Sequence, residues 1–195
     1  MDNKKDDQSK FENELVSKLN YYTVLCSNSY GVMYEFDEPN FIESLQMIDK
    51  SKPVADLGVA YGYSTKRLLN DGFYVFANDL SKDMLNTLAY SVPKEQLSHL
   101  KLLPGNVLDI SFPHNSLGAI FALRFMHFLK GDDFRKLFKN YYDWLSPGGI
   151  LVVSCATSLY HFISCFQNEY KTNLQLDLEW PGELELAGKL LNFKN

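Results

Sequence analysis

Cysteine is scarce in this chain: Cys26, Cys155 and Cys165 are the only ones among 195 residues, an odd number with no Cys-x-x-Cys pair. That excludes a disulfide framework and a cysteine-rich zinc site, and it predicts reduced, mostly buried thiols. Basic residues are also in short supply, with 19 Lys and Arg against 24 Asp and Glu and a net charge of −5. Without a Lys/Arg stripe the chain lacks the field that attracts a phosphate backbone, so nucleic acid is not an expected partner. No stretch approaches the ~18 consecutive apolar residues of a membrane helix, and Met1 to Lys10 is polar rather than a signal peptide. The expectation is a cytoplasmic protein with no membrane partner. Tryptophan is rare (2), whereas Phe (14) and Tyr (12) are plentiful, which favours a large apolar core or a pocket with aromatic walls.

Hydrophobic residues make up 46% and charged residues 22%, the usage of an ordinary globular chain, and the length suits one domain. Apolar residues recur at helical spacing over Phe11, Leu15, Leu19 and Tyr22, and again over Phe41, Leu45 and Ile48 after Pro39, predicting two helices before the first strand. Between them Cys26 to Asp37, rich in Ser, Asn, Gly and Tyr, reads as a loop with exposed aromatics that is able to cover a ligand. Five short apolar runs then alternate with helical stretches. The strands are Val54–Leu57, Tyr74–Ala77, Leu100–Leu103, Leu117–Leu123 and Ile150–Ser154. The helices are Ser64–Asn70, one capped by Ser81 and running to about Ser91, and one opened by Asp132 or Asp133 with a stripe of Phe134, Leu137, Phe138, Tyr141 and Leu145. This alternation predicts an α/β fold: a Rossmann-like, doubly wound parallel sheet of at least five strands with helices on both faces.

In such a sheet the ligand lies outside the carboxyl ends of the strands, near the switch point. The first strand ends in Asp56-Leu57-Gly58-Val59-Ala60-Tyr61-Gly62-Tyr63-Ser64-Thr65, a turn of small residues entering a helix. A dinucleotide fingerprint requires glycine at positions occupied here by Gly58, Ala60 and Tyr63, so it fails twice. A P-loop is absent because no Gly-Lys-Ser/Thr occurs.

Val54 to Thr65 instead resembles motif I of the class I S-adenosylmethionine-dependent methyltransferases, an Asp-x-Gly-x-Gly-x-Gly loop in which Ala60 stands for the middle glycine. Further matches follow at the family's distances. Asn78-Asp79-Leu80-Ser81 resembles motif II, and the resemblance implies that Asp79 accepts from both ribose hydroxyls, with Leu80 beside it in the donor-binding set. Gly105-Asn106-Val107-Leu108-Asp109 resembles the adenine-recognising segment, so Asn106 and Val107 join that set, with Asp109 as an alternative acceptor. Leu145-Ser146-Pro147-Gly148-Gly149 resembles the family's entry into the fifth strand. The resemblance spans about Lys52 to Ser154 and implies that Asp56, Gly58, Ala60 and Gly62 also bind the cofactor, S-adenosyl-L-methionine. It divides the chain into N-terminal helices and lid loop (1–51), donor-binding core (52–155) and a C-terminal helix and tail of the same domain (156–195).

Each of these residues also has a plainer role open to it. Asp79 caps the helix at Ser81 in one reading, Asn106 stabilises the Pro104-Gly105 bend, and Asp56 orders the glycine turn. Past the fourth strand, Arg124 suits a carboxylate of donor or substrate, and His127 is the candidate catalytic base. The competing reading makes His127 a core imidazole bonded to backbone among Phe125, Met126, Phe128 and Leu129.

Methyl transfer is an in-line displacement, for which positioning supplies much of the rate and only a protonated acceptor needs a base. The Asn/Asp-Pro-Pro-Tyr/Phe pattern of amino-methyltransferases on adenine or glutamine is missing, as is the Pro-Cys of cytosine C5 enzymes. The expected activity is methyl transfer to a small, partly apolar molecule under a lid carrying Tyr21, Tyr22, Tyr30 and Tyr34, with no metal. The other reading is a truncated or non-catalytic domain that binds the donor or a protein partner. Ser158 to Tyr170 reads as a helix and Asn173 to Leu178 as one weak strand, so the family's final antiparallel strand pair is expected to be reduced or missing. An uncovered fifth strand would leave an edge for a homodimer.

Overall fold

The structure is a computed structural model that describes residues 23–25, 32–34, 38–155 and 167–184. An antiparallel ribbon of Thr23–Leu25 (β1) and Val32–Tyr34 (β2) comes first. The expected Cys26–Asp37 loop therefore contains a strand, because Val32-Met33-Tyr34 finds a partner that local composition cannot reveal. The expected helix over Phe11–Tyr22 lies outside the described residues, as do the side chains of the four lid tyrosines.

Five further strands form one sheet: Val54–Leu57 (β3), Val75–Asp79 (β4), Leu100–Pro104 (β5), Leu117–Leu123 (β6) and Leu145–Ser154 (β7). Their order is β5-β4-β3-β6-β7 and every neighbouring pair is parallel. The chain winds outward from β3 through Tyr63–Asn70 (α2), β4, Lys82–Ser91 (α3) and β5, then returns to β6 on the other side of β3. The winding thus reverses between β3 and β6, which opens a crevice at their carboxyl ends. Pro39–Ser44 (α1), Gly131–Trp144 (α4) and Gln167–Gln175 (α5) complete the described helices.

From Ala119 onward, residue alternation along β6 divides the core between two faces. Ala119, Phe121 and Leu123 pack in one layer with Phe41, Leu68, Leu85 and Leu88, while Leu117, Ile120 and Ala122 pack in the other with Leu137, Tyr141 and Trp144. All seven β6 residues are buried, which explains a run with almost no polar side chain. Full burial of each large apolar side chain contributes about 1.5–3 kcal/mol, enough to outweigh the modest helix propensity of Tyr63-Ser64-Thr65 at the start of α2.

Three boundaries differ from expectation. Strand β7 begins at Leu145, directly after α4, and absorbs Ser146-Pro147-Gly148-Gly149 as a bulge between the pairs Leu117↔Leu145 and Ala119↔Ile150. Ser146 anchors it by donating to the Leu117 carbonyl at 2.8 Å. Helix α4 starts at Gly131 rather than at Asp132 or Asp133, which occupy its first turn, where carboxylates favour the helix dipole. Helix α5 extends to Gln175, so Asn173–Leu178 is not a strand; Leu174, Leu176 and Leu178 alternate but stay about half exposed. Among the described residues no strand follows Ser154.

The Lys130 side chain does not cap α4; Glu183 Oε1 accepts from the Gly131 N–H instead. Trp180 lies on Gly131 so closely that a Cβ there would stand 2.0 Å from its Cδ2. Gly131→Ala should therefore expel the indole although alanine favours the helix by about 1 kcal/mol. In a Trp144→Phe background the expected result is red-shifted, more quenchable Trp180 emission; unaltered emission would refute this packing.

Candidate active site

The last two residues of β4 organise the strand-end crevice. The Asn78 carbonyl accepts from the N–H groups of Gly58 (2.9 Å) and Val59 (3.0 Å), while its side-chain amide donates to the carbonyls of Leu103 (2.7 Å) and Gly105 (2.9 Å). Asp79 Oδ2 accepts from the Ala60 N–H at 2.8 Å, Asp79 Oδ1 from Ser81 N–H at 2.8 Å, and the Asp79 carbonyl from Gly105 N–H at 3.0 Å. The turns after β3, β4 and β5 are thereby tied to one dipeptide. Asn78, only 2% exposed, was not among the expected site residues; its signal was an amide at the buried end of a strand, where a polar group must find partners.

The β3–α2 turn follows this anchoring. Gly58, Ala60 and Gly62 have φ of +71°, +49° and +74°, so the turn is left-handed at alternate positions. Glycine is required at Gly62 on a second ground, since a Cβ would come within 2.3 Å of Leu88 Cδ1. Ala60 adopts the same region with its methyl group, and its N–H points to Asp79.

Asp56 lies behind the turn, 1% exposed, and its Oδ2 accepts from the hydroxyls of Ser64 (2.7 Å) and Thr65 (2.6 Å). It holds the start of α2 against β3, which is the loop-ordering role. Burial pushes its pKa up to about 6, opposed by the two hydroxyl bonds and the Arg124 charge and assisted by the Asp79 charge. Burial also raises the Asp79 pKa, against the pull of the Ser81 and Ala60 N–H groups.

The expected residues fall on both sides of the crevice. Each Asp79 oxygen spends one lone pair on the backbone and keeps another, which fits the two hydroxyls of a ribose. Leu80 beside it is 62% exposed, an apolar surface next to that carboxylate. After β5, Asn106 is exposed and its Oδ1 accepts from Leu108 N–H at 3.0 Å, so the amide does cap its own turn. Val107 is buried beneath it and the exposed Asp109 closes the same turn.

On the opposite side, Arg124 leaves β6 with φ +59°, an uncommon conformation for a bulky side chain. Its N–H donates to the Ser154 carbonyl at 2.8 Å, and its Nε lies 3.2 Å from Glu38 Oε1, which also accepts from Ser154 Oγ at 3.1 Å. Glu38, just before α1, escaped the sequence reading because its partners Arg124 and Ser154 lie 86 and 116 residues away. The Phe125 side chain stands on Gly58, where a Cβ would meet Phe125 Cβ and Cγ at 2.6 Å.

His127 occupies the short helical turn Met126–Phe128 with part of its side chain open to solvent, which departs from the core-imidazole reading. Its ring lies 4.2 Å from that of Phe128, and the burial of the rest of the imidazole brings its pKa down to about 4, leaving it neutral at physiological pH and a weaker base than a free histidine. Among the described residues no group of His, Cys, Asp and Glu could hold a metal ion, and no helix is long and apolar enough to cross a membrane. Cys155, expected to be buried like the other thiols, is exposed.

A doubly wound sheet, a left-handed glycine turn at its switch point and a carboxylate at the end of the adjoining strand define the Rossmann-like methyltransferase class. The chain belongs to the methyltransferase domain family, whose model matches residues 55–153. It is 33% identical over 81 residues to the demethylmenaquinone methyltransferase of Geobacillus sp. (strain WCH70), a match covering 40% of this chain and 32% of that protein. An S-adenosylmethionine-dependent methyltransferase from Mesorhizobium loti has the same fold, with TM-score 0.52 and 23% identity over 60% of this chain and 54% of that one. So has phosphoethanolamine N-methyltransferase 1 of Haemonchus contortus, with TM-score 0.54 and 18% identity over 79% of this chain and 33% of that one. The chain thus spans about a third to a half of the length of these relatives.

The Asp56 environment has a measurable consequence. With a folded-state pKa near 6 against an ordinary 3.8, the native state binds this proton more tightly than the unfolded chain, so protonation favours folding as pH falls through 6. Relative to Asp56→Asn, which lacks the titration, the wild-type chain should gain roughly 1–2 kcal/mol between pH 7 and pH 5 in urea unfolding. A difference independent of pH would show that Asp56 is not held in a desolvated site.

Proposed function

We propose that the chain is an S-adenosylmethionine-dependent methyltransferase acting on a small-molecule acceptor in the cytoplasm. The observation that carries this is the Asp79 carboxylate, fixed by the Ala60 and Ser81 N–H groups at the rim of the glycine turn with the exposed Leu80 alongside. In this reading Asp79 binds the ribose hydroxyls, Leu80 and Val107 pack on the adenine, Asn106 accepts from its amino group through the remaining lone pair, and the backbone of Gly58, Ala60 and Gly62 follows the donor. Asp56 and Asn78 act indirectly by holding that backbone. The bound donor supplies a methyl group on a positively charged sulfur; the acceptor's electron pair forms the new bond to carbon as the carbon–sulfur pair returns to sulfur.

Arg124, paired with Glu38 and Ser154 on the β6 side, is the guanidinium we assign to the donor's carboxylate or to the acceptor. His127, neutral and exposed four residues past β6, receives the acceptor's proton when that acceptor is a hydroxyl. An acidic composition without a basic stripe in the sequence supports a small acceptor rather than nucleic acid. The names of two relatives carry demethylmenaquinone and phosphoethanolamine, neither of which is a nucleic acid or a protein.

Incubation of the chain with methyl-labelled S-adenosylmethionine and a cell extract tests this directly. Label should enter the low-mass fraction, and Asp79→Asn should weaken donor binding by roughly 10- to 100-fold, the loss of charge-assisted bonds to the ribose. Donor binding with no label in any fraction would favour the non-catalytic reading, and absence of binding would refute both. With a hydroxyl acceptor identified, His127→Gln should lower turnover by about 10²-fold at unchanged donor affinity. Equal turnover would remove the imidazole from the mechanism.

A further inference from the structure

We propose that α5 and the tail behind it, residues 167–184, form a detachable strap whose docking on the first turn of α4 is coupled to donor binding in the crevice; the coupling rests on the donor reading above. The strap is tied together internally. Asn173 Nδ2 donates to the carbonyls of Pro181 (3.2 Å) and Glu183 (3.5 Å), and Glu183 N–H donates to the Trp180 carbonyl at 3.0 Å, so helix and tail move as one body. The tail rests on the first turn of α4. Trp180 covers Gly131, and its ring centroid lies 6.1 Å from that of Phe134 and 5.1 Å from Arg135 Cζ. Glu179 pairs with Arg135, and Glu183 Oε1 accepts from the Gly131 N–H where Lys130 provides no cap.

Two features keep this docking near balance. The Trp180 indole N–H is buried with no acceptor among the described residues, a cost that release into water removes. Helix α5 buries none of its residues, and Leu174, Leu176 and Leu178 stay about half exposed, so the strap is held by the Trp180 contacts rather than by an apolar face. A unit with so little burial opens at the low end of a protein's stability range. A run of packed groups links it to the crevice. Phe125 stands on Gly58 of the glycine turn, and the N–H groups of Phe128 and Leu129 return to the carbonyls of Phe125 (2.9 Å) and Met126 (3.2 Å). Buried Met126 accepts through Sδ from the Tyr141 hydroxyl of α4 at 3.3 Å, and Phe134 N–H returns to the Lys130 carbonyl at 2.9 Å, on the turn that carries Trp180. A ligand that orders the glycine turn therefore favours the α4 geometry that the strap grips, and by linkage the docked strap favours the ligand by the same factor.

Fluorine NMR of the full chain labelled with 5-fluorotryptophan reads the strap directly, with Trp144→Phe assigning the two signals and Gly131→Ala supplying the released position of Trp180. Saturating S-adenosylhomocysteine, its binding measured by calorimetry, should move the Trp180 signal away from that position and raise the docked-to-released ratio roughly fivefold. Trp180→Ala and Gly131→Ala, which undock the strap without touching a crevice residue, should each weaken S-adenosylhomocysteine roughly two- to fivefold. The two variants remove opposite partners of one contact, so if either fails to fold the other still reads the coupling. A Trp180 signal that ignores the bound ligand, or wild-type affinity in a folded variant, overturns the proposal. Failure of the wild-type chain to bind S-adenosylhomocysteine overturns the donor reading itself, and this inference with it.

Discussion

The turns after β3, β4 and β5, which form one side of the strand-end crevice, depend on the hydrogen bonding of Asn78 and Asp79. Each main-chain carbonyl of this dipeptide accepts from a neighbouring turn, and each side chain bonds to backbone beyond its own strand. A turn of small residues has little side-chain packing to hold it, and glycine loses more conformational freedom on ordering than any other residue. The Gly58–Gly62 turn is therefore ordered by bonds made to it. Its N–H groups at Gly58, Val59 and Ala60 all end on the Asn78-Asp79 pair, and Asp56 fixes the helix that follows.

This division of labour explains why three polar residues are buried where the core would otherwise be apolar. Asn78 and Asp79 lie at the end of β4 and Asp56 within β3, and each meets donors that offset much of its desolvation. The offset is incomplete for Asp56, whose pKa reaches about 6 despite two hydroxyl donors and the Arg124 charge. A folding core alone would not retain such a carboxylate, since an apolar residue of similar volume would avoid the cost. Its presence makes sense as the way to hold Ser64 and Thr65, and through them the entry to α2, beside a turn whose own N–H groups are committed to Asn78 and Asp79.

Much of this was legible in the sequence because it rests on local pattern. The apolar runs of β3, β4 and β6, the small-residue turn at Gly58 and the acidic residue ending β4 are readable one segment at a time, and their order predicts the winding of the sheet. What was not legible depends on partners remote in the chain. Glu38 belongs to the site only because Arg124 and Ser154 come to it, and Phe125 reads as one more apolar residue in Leu123–Leu129 until β3 is placed beside β6. Asn106 illustrates a different limit: its exposed amide caps its own turn, and that local role neither requires nor forbids an adenine. The alternation of Leu174, Leu176 and Leu178 suggested a strand, yet the helix runs through Gln175 and leaves those leucines largely outside the core.

The two halves of the crevice are built with different stiffness. On the β4 side, hydrogen bonds to backbone set every element, and their directionality leaves the carboxylate of Asp79 little freedom. On the β6 side, the anchors are an ion pair to Glu38, a left-handed arginine and an aromatic ring resting on a glycine, all at the start of a segment that continues through exposed His127 to α4. That segment is fixed at its far end by Glu183 and Trp180 on Gly131, contacts contributed by a stretch more than 45 residues downstream. The rigid side therefore holds its shape independently of the side chains across the crevice. The β6 side instead takes its geometry from side chains, whose replacement would reshape that wall of the crevice without disturbing the sheet.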